Sequence, residues 1–145
     1  MVEENKALVR RNFEEVWNQE NLAVIDELHD SHYLGHIASS SEAIKGSEQF
    51  KHFVAIHRLA FPDMHFTIED QLAEGDKVAT RWSARGTHRG EFLGIAPGGQ
   101  TLTITGISIH RIVNGKIQES WDNWDALSLL QGMTEDILET VSMRL

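Results

Sequence analysis

The sequence predicts an α+β fold in which three N-terminal helices pack on one face of a curved, four-stranded antiparallel sheet. Two observations carry this. Apolar residues recur at helical spacing before Pro62 and alternate with polar ones after it, so the chain changes period once. Near the C-terminal end, two runs rich in Ile, Val, Thr and Trp flank Asn114-Gly115, the dipeptide that best supplies the positive φ angles of a type I′ hairpin turn. Helices first and strands afterwards segregate the two kinds of element into layers.

From Glu3 to about Gln19, Leu8, Val9, Phe13, Val16 and Trp17 form an amphipathic stripe between Glu and Arg. Asn21 is expected to cap a short second helix carrying Leu22, Ile25 and Leu28, followed by an extended segment from Ser31 to His36 and a polar loop at Ser39-Ser40-Ser41. Gly46-Ser47 opens a third helix, with Ser47 as the expected cap, and Phe61-Pro62-Asp63 closes it. Met64, Phe66, Ile68 and Leu72 then alternate with polar residues. Glu74-Gly75-Asp76 turns that strand into the next, Lys77–Arg85. A glycine-bracketed break, Gly86–Gly90, and a turn over Ile95–Gln100 lead into the Asn-Gly hairpin, and Thr134–Leu145 suits a short helix or tail.

A two-residue turn sets the hairpin register: Ile112 opposite Ile117, His110 opposite Glu119, Ser108 opposite Trp121 and Ile104 opposite Asp125. Alternation then points Ile104, Gly106, Ser108, His110, Ile112, Ile117, Glu119, Trp121, Asn123 and Asp125 inward, with Ile107, Ile109, Asp122 and Trp124 outward. A bulge before Trp124 would exchange Asp122 for Asp125, so parity leaves both carboxylates in play. Polar groups on an otherwise apolar wall have to be paired or used.

At 145 residues and 41% hydrophobic composition, the chain suits one domain, 1–145, with a sizeable core. The formal net charge of −9 and the scattered Lys and Arg argue against nucleic acid and anionic membrane surfaces. With no cysteine there is neither a disulfide framework nor a thiolate metal site, and no stretch reads as a signal peptide or a membrane span, so a cytoplasmic protein is expected. Eight histidines and 22 acids show no compact ligand spacing such as H-E-x-x-H, so no metal is expected.

Five stretches, F-P-D at Phe61–Asp63, E-G-D-K-V at Glu74–Val78, R-W-S-A-R-G-T-H at Arg81–His88, G-E-F-L-G-I-A-P at Gly90–Pro97 and R-I-V-N-G-K-I-Q-E-S-W-D-N-W-D-A-L-S-L-L-Q at Arg111–Gln131, together resemble the SnoaL-like polyketide cyclase or ester cyclase family. The resemblance runs from about Ala7 to Gln131 and departs where Gln131-Gly132-Met133 stands for the usual Gln-Leu-Gly. It implies the cone-shaped α+β barrel of the nuclear-transport-factor-two-like superfamily, enclosing one deep pocket. It also implies cofactor-free intramolecular aldol closure, with an Asp near the end of the last strand as acid/base and a histidine on the neighbouring strand assisting. The matching positions are Asp125 or Asp122 for the acid/base and His110 for its helper.

Each candidate has a plainer alternative. Asp125, the first choice, could simply cap the helix that follows it, and His110 with Glu119 could be an ordinary cross-strand ion pair that raises the imidazole pKa. Trp121, Asn123, Glu119, Trp82, Tyr33, His36, His88, Phe53 and Phe61 are expected around the ligand, although core packing accounts equally for the aromatics. The expected ligand is a small apolar or aromatic carbonyl compound. Hydrolysis or dehydration with the same dyad is the alternative chemistry, and binding without turnover is the alternative class. Outward Ile107, Ile109 and Trp124 point to a homodimer packed sheet to sheet.

Overall fold

In the computed structural model, which describes residues 1–134, helices α1 (Val2–Arg11), α2 (Ile25–Leu28), α3 (Gly46–Ala60) and α4 (126–134) accompany a six-stranded sheet. The strands are β1 (His29–Ile37), β2 (Ile44–Lys45), β3 (His65–Glu74), β4 (Lys77–Thr87), β5 (Thr101–Val113) and β6 (Lys116–Trp124), in the spatial order β2-β1-β6-β5-β4-β3. The α+β class and the four-strand meander β3-β4-β5-β6 are as expected. The sheet is larger than expected and mixed, because β1 lies parallel to β6 and β2 pairs antiparallel to β1. The extended segment expected over Ser31–His36 is thus a strand of the sheet, lying within β1. The open sheet keeps β2 and β3 as its edges.

The meander follows from its turns. Gly75 (φ 59°) joins Glu74 to Lys77, and Asn114 (φ 52°) with Gly115 (φ 75°) joins Val113 to Lys116, the left-handed pair that a type I′ turn requires. Along β4, Val78, Thr80, Trp82, Ala84 and Gly86 are buried, while Lys77, Arg81 and Arg85 are exposed, a period of two with one face on the core. Gly106 permits one close approach: a Cβ there would sit 2.3 Å from Trp82 Cζ2, so only glycine lets that indole lie across β5.

The helices cover the concave face, burying Val9, Phe13, Val16 and Trp17 from the N-terminal segment and Phe50 and Val54 from α3. Two caps differ from expectation. Neither Asn21 nor Ser47 makes a side-chain capping bond, and Ser47 lies inside α3, one residue after its first residue, Gly46. The first helix also changes its winding: Asn12–Asn18 is π-helical, ending with the Gln19 amide donating to Glu14 O at 3.2 Å, five residues back. Of the expected C-terminal helix or tail, only Thr134 is described, as part of α4, and 135–145 lie outside the described residues. Among the described residues, no helix is long and apolar enough to cross a membrane.

Candidate functional site

The hairpin register departs from expectation at a bulge. Val113 faces Lys116 and Ile112 faces Ile117, but the next pair is Arg111 with Glu119, so Gln118 is the extra residue on β6. Every later pair slips by one: His110 faces Ser120, Ile109 faces Trp121, Ser108 faces Asp122 and Gly106 faces Trp124. Because the side-chain period is two, this slip reverses the face of everything on β6 beyond the bulge. Ser120, Asp122 and Trp124 point inward. Glu119, Trp121 and Asn123 point outward, against expectation.

On the inner face of the sheet lies a cavity of about 100 Å³, walled by Phe13 and Trp17 from the first helix, Phe50, Phe53 and His57 from α3, Trp82 from β4, and Ile104, Ser108, His110, Asp122 and Trp124 from β5 and β6. Phe61 and Tyr33 also reach it, while Leu102 and Leu129 close it beside α4. Its wall is overwhelmingly apolar, so its few polar groups stand out.

Asp122 is the acidic group in that wall. Its Oδ1 accepts a hydrogen bond from Ser108 Oγ at 2.5 Å, and its Oδ2 accepts a longer one from Ser120 Oγ at 3.4 Å. Ser108 in turn accepts from the Trp82 indole Nε1 at 2.9 Å, and Ser120 is hydrogen-bonded to the Tyr33 hydroxyl. The carboxylate is thus aimed by two serines, each tied to a buried aromatic. Burial pushes the Tyr33 phenol well above its usual range, with the Asp122 charge adding to the effect, so that hydroxyl stays protonated.

His110 shares this inward face, one alternation beyond Ser108, and is buried at 4% exposure. Its ring lies edge-on to Phe13 at 6.1 Å, and its Nδ1 has no hydrogen-bond partner. Burial pushes its pKa down, only partly opposed by the Asp122 charge. This reverses the expected upward shift, because Glu119 is across the sheet from it. A neutral imidazole can donate from one ring nitrogen without carrying charge into an apolar space. Nearby, His29 is buried with both ring nitrogens unpartnered, and burial, followed by the proximity of His110, brings its pKa down to about 3.

Asp125, the first-choice acid, is exposed and outside the cavity. It accepts from the Ser128 amide at 3.1 Å and the Ser128 hydroxyl at 2.6 Å, so it caps α4, and those bonds hold its pKa down. On the outer face, Glu119 accepts from His36 at 2.7 Å and Arg111 at 3.2 Å, which lower its pKa in that order of size. Trp121 stacks on His36 with ring centroids 5.6 Å apart. His88 is fully buried and stacks on Phe61 at 5.4 Å, behind the wall and not in it. Tyr33, Phe53, Phe61 and Trp82 line the cavity, whereas His36, Glu119, Trp121, Asn123 and Asp125 do not.

Sequence reasoning missed Trp124, which the unanticipated bulge turns inward, Phe13 and Trp17, which read as ordinary helix-stripe residues, and Asn12 and His57, to which it gave no functional role. Ser108 was placed on the inward face without a role. Among the described residues, no three His, Asp or Glu side chains gather as metal ligands would.

The family model for SnoaL-like polyketide cyclases matches residues 7–133. The chain belongs to this family. Solved structures agree on the SnoaL fold. A candidate SnoaL-like polyketide cyclase from Jannaschia sp. CCS1 is 25% identical with a TM-score of 0.86, over 91% of this chain and 92% of that one. AclR from Streptomyces galilaeus, a candidate hydroxylase, is 27% identical with a TM-score of 0.81, over 93% and 98% of the two chains. IdmH from Streptomyces antibioticus, a candidate polyketide cyclase, is 29% identical with a TM-score of 0.76, over 89% and 97%. No curated protein matches the sequence. One SnoaL-type cone therefore carries proteins named for different reactions, so chemistry has to be argued from the site.

Proposed function

We propose that this SnoaL-like protein is a cofactor-independent cyclase of apolar or aromatic carbonyl compounds, with Asp122 as its acid/base. The observation that carries this reading is Asp122 itself: a carboxylate in an apolar cavity, oriented by Ser108 and Ser120. In the proposed step, one Asp122 oxygen takes a proton from the carbon next to a substrate carbonyl, and the enolate carbon attacks a second carbonyl of the same molecule. Asp122 then returns the proton to the new alkoxide, closing the ring with no net change in atoms. His110, neutral through burial, donates a hydrogen bond to the carbonyl oxygen on which charge develops. The apolar wall excludes water, which would otherwise protonate the enolate or hydrate the carbonyl. Cyclase names among the structural neighbours support the reaction class. Hydrolysis or dehydration by the same pair, and binding without turnover, are the competing readings.

The test pairs two substitutions. Asp122→Asn should lower turnover of a cyclisable poly-β-carbonyl substrate by about 10²- to 10⁴-fold while preserving melting temperature and ligand affinity. Asp125→Asn should leave turnover unchanged. Full activity in Asp122→Asn would refute the assignment, and a wild type that binds but never converts such substrates would favour the binding module. We further propose a cytoplasmic homodimer. Its interface would be the outer sheet face, where Ile107 is 52% and Ile109 38% exposed, and Trp121, directly opposite Ile109, takes the place expected of Trp124.

A further inference from the structure

Asn12 is a polar group of the cavity wall that the proposed chemistry does not use. It is only 2% exposed, it lines the cavity, and its Oδ1 has no hydrogen-bond partner. A buried carboxamide oxygen in that state is costly to the fold, since folding strips it of water and supplies no partner in return. Its position is equally particular, because Asn12 opens the π-helical segment Asn12–Asn18. In an α-helix, residues five apart point about 140° away from each other. A helix wound for i→i+5 bonding brings them onto one face, so the change of winding is what lets Asn12 share the cavity with Trp17 as well as Phe13. Single stretches of π-helix of this kind recur at functional sites.

We infer that Asn12 is a specificity-determining residue, whose carboxamide hydrogen-bonds an oxygen substituent on the ring end of a ligand seated against Phe13 and Trp17. The inference rests on the cavity being the ligand site. It assigns the substrate class more narrowly than the acid/base step does: an oxygenated aromatic, phenolic or enolic, and not a bare hydrocarbon ring. A hydroxyl suits this site well. It can donate to the oxygen of the carboxamide or accept from its nitrogen, and rotation about χ2 presents either. A ligand without the oxygen would leave the carboxamide unpaired in the filled cavity, and unpaired buried groups are the strongest basis for rejecting an analogue.

The test compares 2-naphthol with 2-methylnaphthalene, which have nearly the same shape, by equilibrium dialysis against the full chain. Wild type should bind 2-naphthol about tenfold more tightly. Asn12→Leu should bring the two affinities to within about twofold by losing affinity for 2-naphthol alone. Its melting temperature should stay level or rise, because an unpartnered polar group has been replaced by an apolar one of similar size. A purely structural Asn12, satisfied by a buried water, gives the opposite pair of results: a lower melting temperature and an undiminished preference for 2-naphthol. That outcome overturns the inference. Should leucine fit poorly, Asn12→Ala poses the same binding question with less bulk, and a retained preference there is equally fatal. If wild type binds neither probe, the ligand-site reading fails first and takes this inference with it. If it binds both equally, the ligand-site reading survives and only the role of Asn12 is lost.

Discussion

His29 should make this protein sensitive to mild acid. The residue opens β1, is 1% exposed and lies against Tyr33 at 4.9 Å and Phe50 at 4.5 Å between ring centroids. Neither ring nitrogen reaches hydrogen-bond geometry, although the Ile25 carbonyl and Asp26 weakly oppose the downward shift. Its pKa falls from 6.5 to about 3, so the folded imidazole stays neutral at a pH where the unfolded one is charged. The unfolded state then binds more protons, and stability is complete above pH 6.5 and is lost as pH falls toward 3. Between pH 7.5 and pH 5 this one residue should cost about 2 kcal/mol. His29→Leu removes that term while any constant packing effect cancels between the two pH values. Carboxylates whose pKa is lowered, such as Asp63 and Glu15, act below about pH 4.5 and stay out of this window. His57 and His110, also depressed by burial, are present in both proteins. Urea denaturation of wild type and variant at both pH values measures the difference. Equal losses of stability in the two proteins would refute the reasoning.

Two further outcomes test the sheet. Glu119→Gln should leave the His110 imidazole titration unchanged by NMR, because Glu119 pairs with His36 and Arg111 on the opposite face; a clear downward shift of His110 would restore the unbulged register. Ile109→Asp, placed on the outer sheet face between exposed Ile107 and half-buried Trp121, should convert a dimer to a monomer in sedimentation at micromolar concentration without moving Asp122. A wild type already monomeric there would remove the sheet-to-sheet dimer.

What the sequence alone determined was local. Asn114-Gly115 needs positive φ at two successive residues, and few other dipeptides tolerate it, so the last hairpin and its first two pairs were legible. The change from helical spacing to alternation at Pro62 likewise separated the helical half from the meander, and the alternation along β5 placed Ser108 and His110 on the inner face. The pattern stopped being decisive wherever an outcome depended on distant partners. A bulge at Gln118 leaves no mark in the residue types around it, yet it exchanged Asp125 for Asp122, turned Trp121 out and Trp124 in, and separated His110 from Glu119. The parallel pairing of β1 with β6 joins residues far apart in the chain, and no local propensity encodes it. The π-helical winding that carries Asn12 into the cavity was also invisible, because Phe13, Val16 and Trp17 fit an α-helical stripe as well. Period and turn chemistry are properties of neighbouring residues. Which carboxylate faces the cavity is a property of register, and in a bulged strand only the assembled sheet decides it.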